Sequence, residues 1–266
     1  MSGINEQSEA SQQMIRFYTG EAVKRTHFGG QLTDGHQALL AKAFAGVTVE
    51  DCLFYHTMAF EDGQVFEGNW DLRGREKSYL GCLDLSGRTI LELGPATGYL
   101  SFHMEKMGGR VTCFDIARGL SHELLPLPGI DLAAQEKNGR DFVFRTQNSW
   151  WFSHRKFKSR VKAVYGDIYR MPVDLGRFDI STLGCILLHL SNPFAALRQV
   201  AAVTDKAIVV TDVVHKIPFT LDTGCQEFNP GRQRQNPVNW WGLTPGAVLK
   251  MLEILGFPFI LSLIHI

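Results

Sequence analysis

Apolar residues along most of the chain follow two alternating patterns. From about residue 88 onward, short apolar runs predict strands at 89–93, 110–115, 162–166, 178–183 and 206–211. Between these runs, apolar residues recur at helical spacing and predict helices at 99–107, 142–157, 194–203 and 245–255. Strands that are apolar on both faces and separated by helices are typical of a parallel sheet with helices on both sides. The sequence therefore predicts an α/β fold with a mostly parallel sheet.

The residues before this alternation have a different composition. The first part is polar or small, and helical spacing at 14–23 and 36–44 predicts helices there. Aromatic residues follow, and Asp62-Gly63 predicts the turn of a short hairpin that covers an edge of the core. We expect three parts, namely a helical lead-in at 1–50, an aromatic-rich cap at 51–87 and a sheet domain at 88–266.

Composition excludes several classes of protein. The 266 residues are 45% hydrophobic, which is too apolar for a disordered chain, and 27 basic residues balance 27 acidic ones. A net charge of zero gives no overall attraction to nucleic acid or to an anionic membrane. The five cysteines form no C-x-x-C motif, as in a protein with reduced thiols. Because residues 1–13 lack the layout of a signal peptide and no apolar run is long enough to span a bilayer, we expect a soluble cytoplasmic protein without a membrane partner.

The most informative segment is the turn after the first predicted strand of the sheet, Glu92-Leu-Gly-Pro-Ala-Thr-Gly98. Glycines where a strand turns into a helix let backbone amides approach a ligand closely. A dinucleotide fingerprint requires a glycine where Ala96 stands. The observed spacing resembles motif I of the class I S-adenosylmethionine-dependent methyltransferases. That resemblance implies a Rossmann-like, doubly wound sheet and S-adenosylmethionine as the cofactor.

Further residues match the family at the ends of the following strands. Asp115 stands where the family carries an acid that binds the ribose hydroxyls, and a carboxylate offers two acceptor oxygens for that purpose. Asp167 stands where the family reads the adenine amino group, and Ile116 and Ile168 would then flank the adenine ring. The resemblance implies cofactor contacts from Glu92, Gly94, Pro95, Ala96, Gly98, Asp115, Ile116, Asp167, Ile168 and Gly184.

The resemblance extends over residues 52–260 and says less about the acceptor. Residues 188–193 and 54–57 are similar to segments of a subgroup that includes the tRNA wobble-uridine carboxymethylating enzymes. That group holds a carboxylated cofactor with a basic residue, and Arg73, Arg75 and Lys77 do not align with it cleanly. We therefore expect ordinary S-adenosylmethionine. The family's fold closes with an antiparallel seventh strand, and we expect this chain to lack it.

Methyl transfer needs alignment of the acceptor, and a general base only when the acceptor must lose a proton. His189 is the leading candidate base because it follows the fourth strand of the sheet, with helix capping as the alternative. His56 and Tyr55 are further candidates, and a packing role suits them equally. Asp212 follows the fifth strand and either faces the acceptor or is solvated. No metal ligand set is expected.

Tryptophans and a basic segment supply the remaining candidates. Trp240 and Trp241, together with Trp70, would cover an apolar or aromatic acceptor, or else simply pack beneath a long loop. Trp150-Trp151 precedes a basic run at 155–162, which would contact RNA or else form the solvated end of a helix.

Three hypotheses follow from the sequence. The first is a methyltransferase for a small molecule, favoured by the neutral net charge. The second is a tRNA-modifying enzyme of the wobble-uridine type, favoured by the 54–57 segment and the basic run. The third is a cofactor-binding protein that no longer transfers methyl groups. The set of Glu92, Asp115 and Asp167 argues against a lost cofactor site but says nothing about the acceptor site. The oligomeric state and the acceptor atom are not encoded in any recognisable pattern.

Overall fold

The computed structural model describes residues 31–171, 175–213, 224, 226–228 and 236–257. The helices in these ranges are α1 (Asp34–Ala43), α2 (Glu76–Tyr79), α3 (Tyr99–Lys106), α4 (Leu132–Lys156), α5 (Pro193–Val203) and α6 (Pro245–Ile254). The strands are β1 (Met58–Ala59), β2 (Val65–Phe66), β3 (Thr89–Leu93), β4 (Arg110–Ile116), β5 (Lys162–Gly166), β6 (Phe178–Gly184), β7 (Thr204–Thr211), β8 (Gln226–Phe228) and β9 (Trp241–Leu243). The predicted helix at 14–23 and residues 258–266 lie outside the described residues.

Five parallel strands form the central sheet in the order β5-β4-β3-β6-β7. This is the strand order of a doubly wound Rossmann-like fold, so the predicted fold class is confirmed. The winding reverses between β3 and β6, and ligands of such sheets bind at the carboxyl ends of the strands beside this switch point. The predicted absence of a final antiparallel strand concerns residues beyond the described ranges and stays a prediction.

Each face of the sheet is covered by helices because successive residues of a strand point to opposite sides. Ile90 of β3 belongs to a core shared with Met104 of α3 and Trp150 of α4. The next residue, Leu91, belongs to the opposite core, shared with Leu197 of α5 and Met251 of α6. The near-continuous apolar runs seen in the sequence are therefore strands buried on both faces.

Helix α4 begins at Leu132, about ten residues before the start at 142 that its apolar spacing predicts. Asp131 caps it by accepting a hydrogen bond from the Ala134 N–H at 3.0 Å. The first half of α4 is largely exposed and polar, so it carries no apolar stripe from which a helix can be predicted. The buried second half, from Thr146 to Ser153, faces the sheet and the aromatic-rich cap.

Polar side chains of α4 hold the start of the aromatic-rich cap. Ser149 Oγ donates to the Leu53 carbonyl at 2.7 Å and accepts from the Leu53 N–H at 2.9 Å. Asn148 donates to the Asp51 carbonyl at 3.0 Å, and Arg145 to the Cys52 carbonyl at 2.8 Å. These contacts take the place of strand pairing for a segment that would otherwise bury unsatisfied backbone groups.

The predicted hairpin around Asp62-Gly63 is present, with β1 and β2 paired antiparallel. Phe66 of β2 stacks on Phe54 with ring centroids 4.7 Å apart, and both rings lie edge-on to Phe152 of α4. Aromatic packing of this kind adds about 0.5–1.5 kcal/mol per pair to the apolar burial. The hairpin is thereby fixed on the α4 side of the sheet.

We predict that Ser149→Ala lowers the free energy of unfolding by about 1–3 kcal/mol, because the Leu53 carbonyl loses its donor and the Leu53 N–H keeps only the Arg145 carbonyl, at 3.2 Å. Chemical denaturation measures this loss, and hydrogen exchange should show faster exchange at Leu53. Ser86→Ala, at an exposed serine, is the matched control and should change neither quantity. Equal stabilities of the two variants would contradict the role given to Ser149.

Candidate functional site

The turn after β3 has three residues in the left-handed backbone region, Gly94 at φ +62°, Ala96 at φ +50° and Gly98 at φ +86°. A Cβ on Gly94 would lie 2.2 Å from Cδ1 of Ile186, and one on Gly98 would lie 2.5 Å from the Phe102 ring. The positive φ favours glycine at both positions, and at Gly98 the Phe102 and Trp150 rings also leave no room for a Cβ. Ala96 carries a side chain in a region that costs an L-residue about 1–2 kcal/mol, and such strain is found mainly at functional turns.

Residues at the carboxyl ends of neighbouring strands lie side by side with this turn. The Gly94 N–H donates to the Phe114 carbonyl at 2.9 Å, which places Gly94 beside Asp115 of β4. Ile116 is paired with Gly166, so Asp167 is next along the same edge. The sheet register thus aligns the three predicted cofactor positions that are most specific to the family motif.

The other side of the turn meets the ends of β6 and β7. Leu93 pairs with Leu183, and Gly184 pairs with Thr211, after which Asp212 leaves the sheet. One row along the carboxyl edge therefore contains Asp167, Asp115, Gly94, Gly184 and Asp212.

Glu92 lies beneath the turn rather than along the exposed edge. Its side chain is 5% exposed and accepts hydrogen bonds from Ser101 Oγ of α3 and from Cys113 Sγ. Burial raises the pKa of Glu92 to about 7, despite these hydrogen bonds. Glu92 therefore supports the turn from within the core.

Asp115 has a partner that the sequence patterns do not reveal. Gln147 of α4 donates from Nε2 to Asp115 Oδ2 at 3.0 Å and to the Ile116 carbonyl at 2.9 Å. Burial raises the pKa of Asp115 to about 6, with the hydrogen bond from Gln147 opposing the shift. A small cavity beneath Pro95 is lined by both side chains and by Trp150. Gln147 orients the carboxylate in this cavity.

Asp167 opens a short 3-10 turn at the end of β5. Its Oδ1 accepts from the Tyr169 N–H at 2.9 Å, and its side chain is partly exposed. Ile168 packs against the core under α5 and α6, whereas Ile116 is half-buried on β4. The structure thus brings both isoleucines to the same stretch of the edge, and their predicted contacts with adenine stay predictions.

The cap segment covers the glycine turn. The His56 N–H donates to Thr97 Oγ1 at 3.2 Å, and Nδ1 of the same histidine lies 3.4 Å from that oxygen. Burial lowers the pKa of His56 to about 4, so its ring is neutral near pH 7 and a weak proton acceptor. These properties favour a positioning role for His56 over the catalytic role considered from the sequence.

A continuous series of rings leads from the cap to His189. Tyr55 lies 6.1 Å from Phe142, Phe142 lies 5.7 Å from His122, and His122 lies 6.0 Å from His189, measured between ring centroids. His189 Nδ1 is 2.8 Å from the Val238 carbonyl, so Nδ1 donates and Nε2 remains the acceptor atom. Phe142 and His122 lack any sequence motif, and only their packing associates them with the site.

The tryptophans considered for the acceptor differ in their surroundings. Trp240 Nε1 donates to the Glu123 carbonyl at 3.1 Å, and Trp241 Nε1 to the Ser191 carbonyl at 3.3 Å. The Trp240 indole therefore holds the loop between β4 and α4, and the Trp241 indole holds the loop after β6. Trp70 pairs through its backbone with residues 55–57, and its side chain is 53% exposed.

The basic run at 155–162 is largely used for internal contacts. Arg155 donates to the carbonyls of Phe44 and Val47, Lys156 pairs with Asp62, and Lys162 pairs with Asp34. Trp150 and Trp151 are each 2% exposed and belong to the core. These contacts favour the helix-end interpretation of the run over an RNA-binding surface.

No protein-family model and no curated protein sequence matches this chain. Among solved structures, the chain is similar to the N-terminal domain of EvdMO1 with SAH bound, at 17% identity, 86% coverage of this chain, 90% of that chain and a TM-score of 0.45. It is also similar to Burkholderia thailandensis 1,6-didemethyltoxoflavin-N1-methyltransferase with bound 1,6-didemethyltoxoflavin and S-adenosylhomocysteine. The identity is 16%, the match covers 69% of this chain and 66% of that chain, and the TM-score is 0.41. A further similar chain is the 4+2 cyclase SpnF, at 17% identity, 68% and 54% coverage and a TM-score of 0.44. Likeness at this distance transfers no function.

Two further searches concern only the described ranges. None of the helices there combines the length and apolarity needed to cross a bilayer. The same residues contain no group of three His, Cys, Asp or Glu side chains placed to hold a metal ion.

We predict that Glu92→Gln changes how stability depends on pH. The folded-state pKa of about 7 lies above the ordinary value of 4.5, so the stabilisation from this group is complete below 4.5 and is lost as the pH rises through 7. Relative to the wild type, the variant should gain about 1–3 kcal/mol in unfolding free energy between about pH 5 and about pH 8. Denaturant titrations at both pH values measure the gain. Glu61→Gln, at an exposed acid, should show none, and a parallel pH dependence of all three proteins would refute a buried, ionising Glu92.

Proposed function

We propose that this protein is an S-adenosylmethionine-dependent methyltransferase that acts on a small molecule and releases S-adenosylhomocysteine. The observation that carries the proposal is the row of Gly94, Asp115 and Asp167 at one edge of the sheet, beside the switch point. The motif and the geometry support it independently, since the spacing is read from the sequence and the alignment from the strand register.

The residues at this edge fit the cofactor. Gly94 and Gly98 adopt the left-handed backbone of the turn and carry no Cβ, which at these positions would meet Ile186 and Phe102. In this proposal the Asp115 carboxylate, which is held by Gln147, accepts hydrogen bonds from the ribose hydroxyls, and Asp167 and the two isoleucines contact the adenine. Pro95 and Ala96 shape the turn, with Glu92 supporting it from below. The cofactor supplies a methyl group activated by the positive charge on sulfur.

The protein's part in the reaction is mainly alignment of the acceptor, which can contribute roughly 7–11 kcal/mol to the lowering of the barrier. The acceptor would lie beside Gly184, under the cap residues Tyr55 and His56 and near the loop after β6. Two groups there can accept a proton, His189 through Nε2 and Asp212 through its carboxylate. Trp70, Trp240 and Trp241 form the outer boundary of this region.

A small acceptor is favoured over tRNA by two observations. The net charge is zero, whereas binding of a nucleic acid relies on several cations that neutralise phosphates. The most basic segment forms internal contacts through Arg155, Lys156 and Lys162. An experiment distinguishes the methyltransferase from a binding protein without catalysis. The binding protein would bind S-adenosylhomocysteine but would form none from S-adenosylmethionine.

We predict that Asp115→Asn weakens binding of S-adenosylhomocysteine about 10- to 100-fold, the loss expected for hydrogen bonds to a charged group. Isothermal titration calorimetry measures the dissociation constant directly. Asp141→Asn removes an exposed acid on α4 and should bind as the wild type does. Unchanged affinity in Asp115→Asn would show that this carboxylate does not bind the ribose of the cofactor.

We also predict that the affinity for S-adenosylhomocysteine falls in acid. Because burial raises the pKa of Asp115 to about 6, the carboxylate is present above pH 6 and is lost below it. Affinity should be constant above about pH 7 and about 10-fold weaker one unit below the pKa. In Asp115→Asn this part of the pH dependence should vanish, and its persistence would assign it to another group.

A further inference from the structure

A second polar cluster lies at the ends of β6 and β7, next to the glycine turn. We call it the acceptor cluster, and it consists of Tyr55, Tyr79, Cys185 and Asp212. Tyr79 reaches it from α2, with its hydroxyl directed at Cys185 Sγ at 3.9 Å. The same hydroxyl lies 2.7 Å from the position a Cβ on Gly184 would take, so only glycine admits Tyr79 here. None of the proposed cofactor contacts uses these four side chains.

The backbone is strained where the cluster joins the sheet. Cys185 has φ +52°, a left-handed conformation that a non-glycine residue rarely adopts. Its N–H donates to the Thr211 carbonyl at 2.7 Å, so the strained residue is still held by β7. Strain of this kind persists where the surrounding structure fixes a residue for function.

Asp212 contributes a buried oxygen that makes no hydrogen bond of normal geometry with the described residues. Its Oδ1 accepts from the Val213 N–H at 2.7 Å, and the backbone of Leu188 also approaches the carboxyl group, but Oδ2 itself has no well-formed hydrogen bond from that part of the chain. Leaving a buried carboxylate oxygen unsatisfied is unfavourable unless a ligand supplies the donor. The cluster therefore lacks a hydrogen-bond donor directed at Asp212 Oδ2.

We propose that Asp212 binds the N–H of a nitrogen acceptor and receives its proton during methyl transfer. This inference rests on the proposed function and names the substrate class of the same site, a weakly basic nitrogen compound such as an aromatic amine or an N-heterocycle, whose methylated nitrogen is acidic enough to give its proton to a carboxylate. The nitrogen lone pair forms the new N–CH3 bond as the C–S bond breaks and its electron pair remains on sulfur. The proton then passes from nitrogen to Asp212 Oδ2 and on to water.

The charge of the acceptor cluster suits a substrate with a nitrogen acceptor better than one with an oxygen acceptor. Burial raises the pKa values of Tyr55, Tyr79 and Cys185, so these three groups are neutral near pH 7. Asp212 is the charge that remains among the four, and a nitrogen nucleophile becomes positive as it is methylated, next to this carboxylate. A phenol or alcohol must instead lose its proton to a stronger base, because the pKa of Asp212 is raised by burial only to about 6.

The experiment uses the full chain with S-adenosylmethionine and a broad panel of amines and N-heterocycles, each with its matched alcohol or phenol. S-adenosylhomocysteine formation is followed by mass spectrometry. We expect turnover with nitrogen acceptors, and a fall in kcat of at least ~100-fold in Asp212→Asn with unchanged binding of S-adenosylhomocysteine. Asp205→Asn, an exposed acid at the other end of β7, is the matched control and should turn over normally.

Other outcomes overturn the inference. Turnover confined to alcohols or phenols, no turnover with nitrogen acceptors, or full activity in Asp212→Asn would each do so. If Asp212→Asn loses its cooperative melting transition, Asp212→Ser repeats the test with a smaller side chain that takes up no proton. Failure to bind S-adenosylhomocysteine at all would instead refute the proposed function.

Discussion

The close approach of the glycine turn to the chain leaving β6 is the constraint on which the site depends. Gly94 meets Ile186 so closely that a single added carbon would be 2.2 Å from its side chain. This contact joins the two halves of the sheet at the point where the winding reverses. It brings the residues proposed for the cofactor to one side of the turn and the acceptor cluster to the other. A larger side chain at Gly184 would collide with Tyr79 of the acceptor cluster.

Three acids whose carboxyl groups are largely desolvated surround this junction, and desolvation raises the pKa of each. The values are about 7 for Glu92, about 6 for Asp115 and about 6 for Asp212. Desolvated carboxylates reduce stability unless they are paired, so a fold has little reason to keep three without a use for them. Ser101 and Cys113 satisfy Glu92, and Gln147 satisfies Asp115 in part. Asp212 is the least satisfied, which is why we assign it to the acceptor.

The fold was predictable because its signals are local. Strands buried on both faces form continuous apolar runs, and glycines end the helices, so the sheet and its helices follow from short windows of sequence. The exposed first half of α4 was missed because no apolar stripe marks it. The hairpin was found from its turn, whereas the polar contacts that hold the cap depend on α4 side chains about 95 residues away in sequence.

The candidate site was predictable only where a motif or a strand end marks it. Gly94, Asp115 and Asp167 have such marks, and the register brings them together. Gln147, Phe142, His122 and Tyr79 have none, since each sits on a helix or loop whose partner is decided by tertiary packing. The basic run at 155–162 misleads in the other direction. Its charges suggest a surface for RNA in the sequence, but in the fold Arg155, Lys156 and Lys162 contact other parts of the chain.

The most direct test of the central claim is a crystal structure of the protein with S-adenosylhomocysteine. The account predicts that the ligand lies along the carboxyl edge of the sheet, with Gly94 and Asp115 in direct contact and Asp167 near the adenine. It also predicts that the sulfur faces Gly184 and the acceptor cluster. A ligand bound elsewhere, or one at this edge with neither Gly94 nor Asp115 within hydrogen-bonding distance, would contradict it.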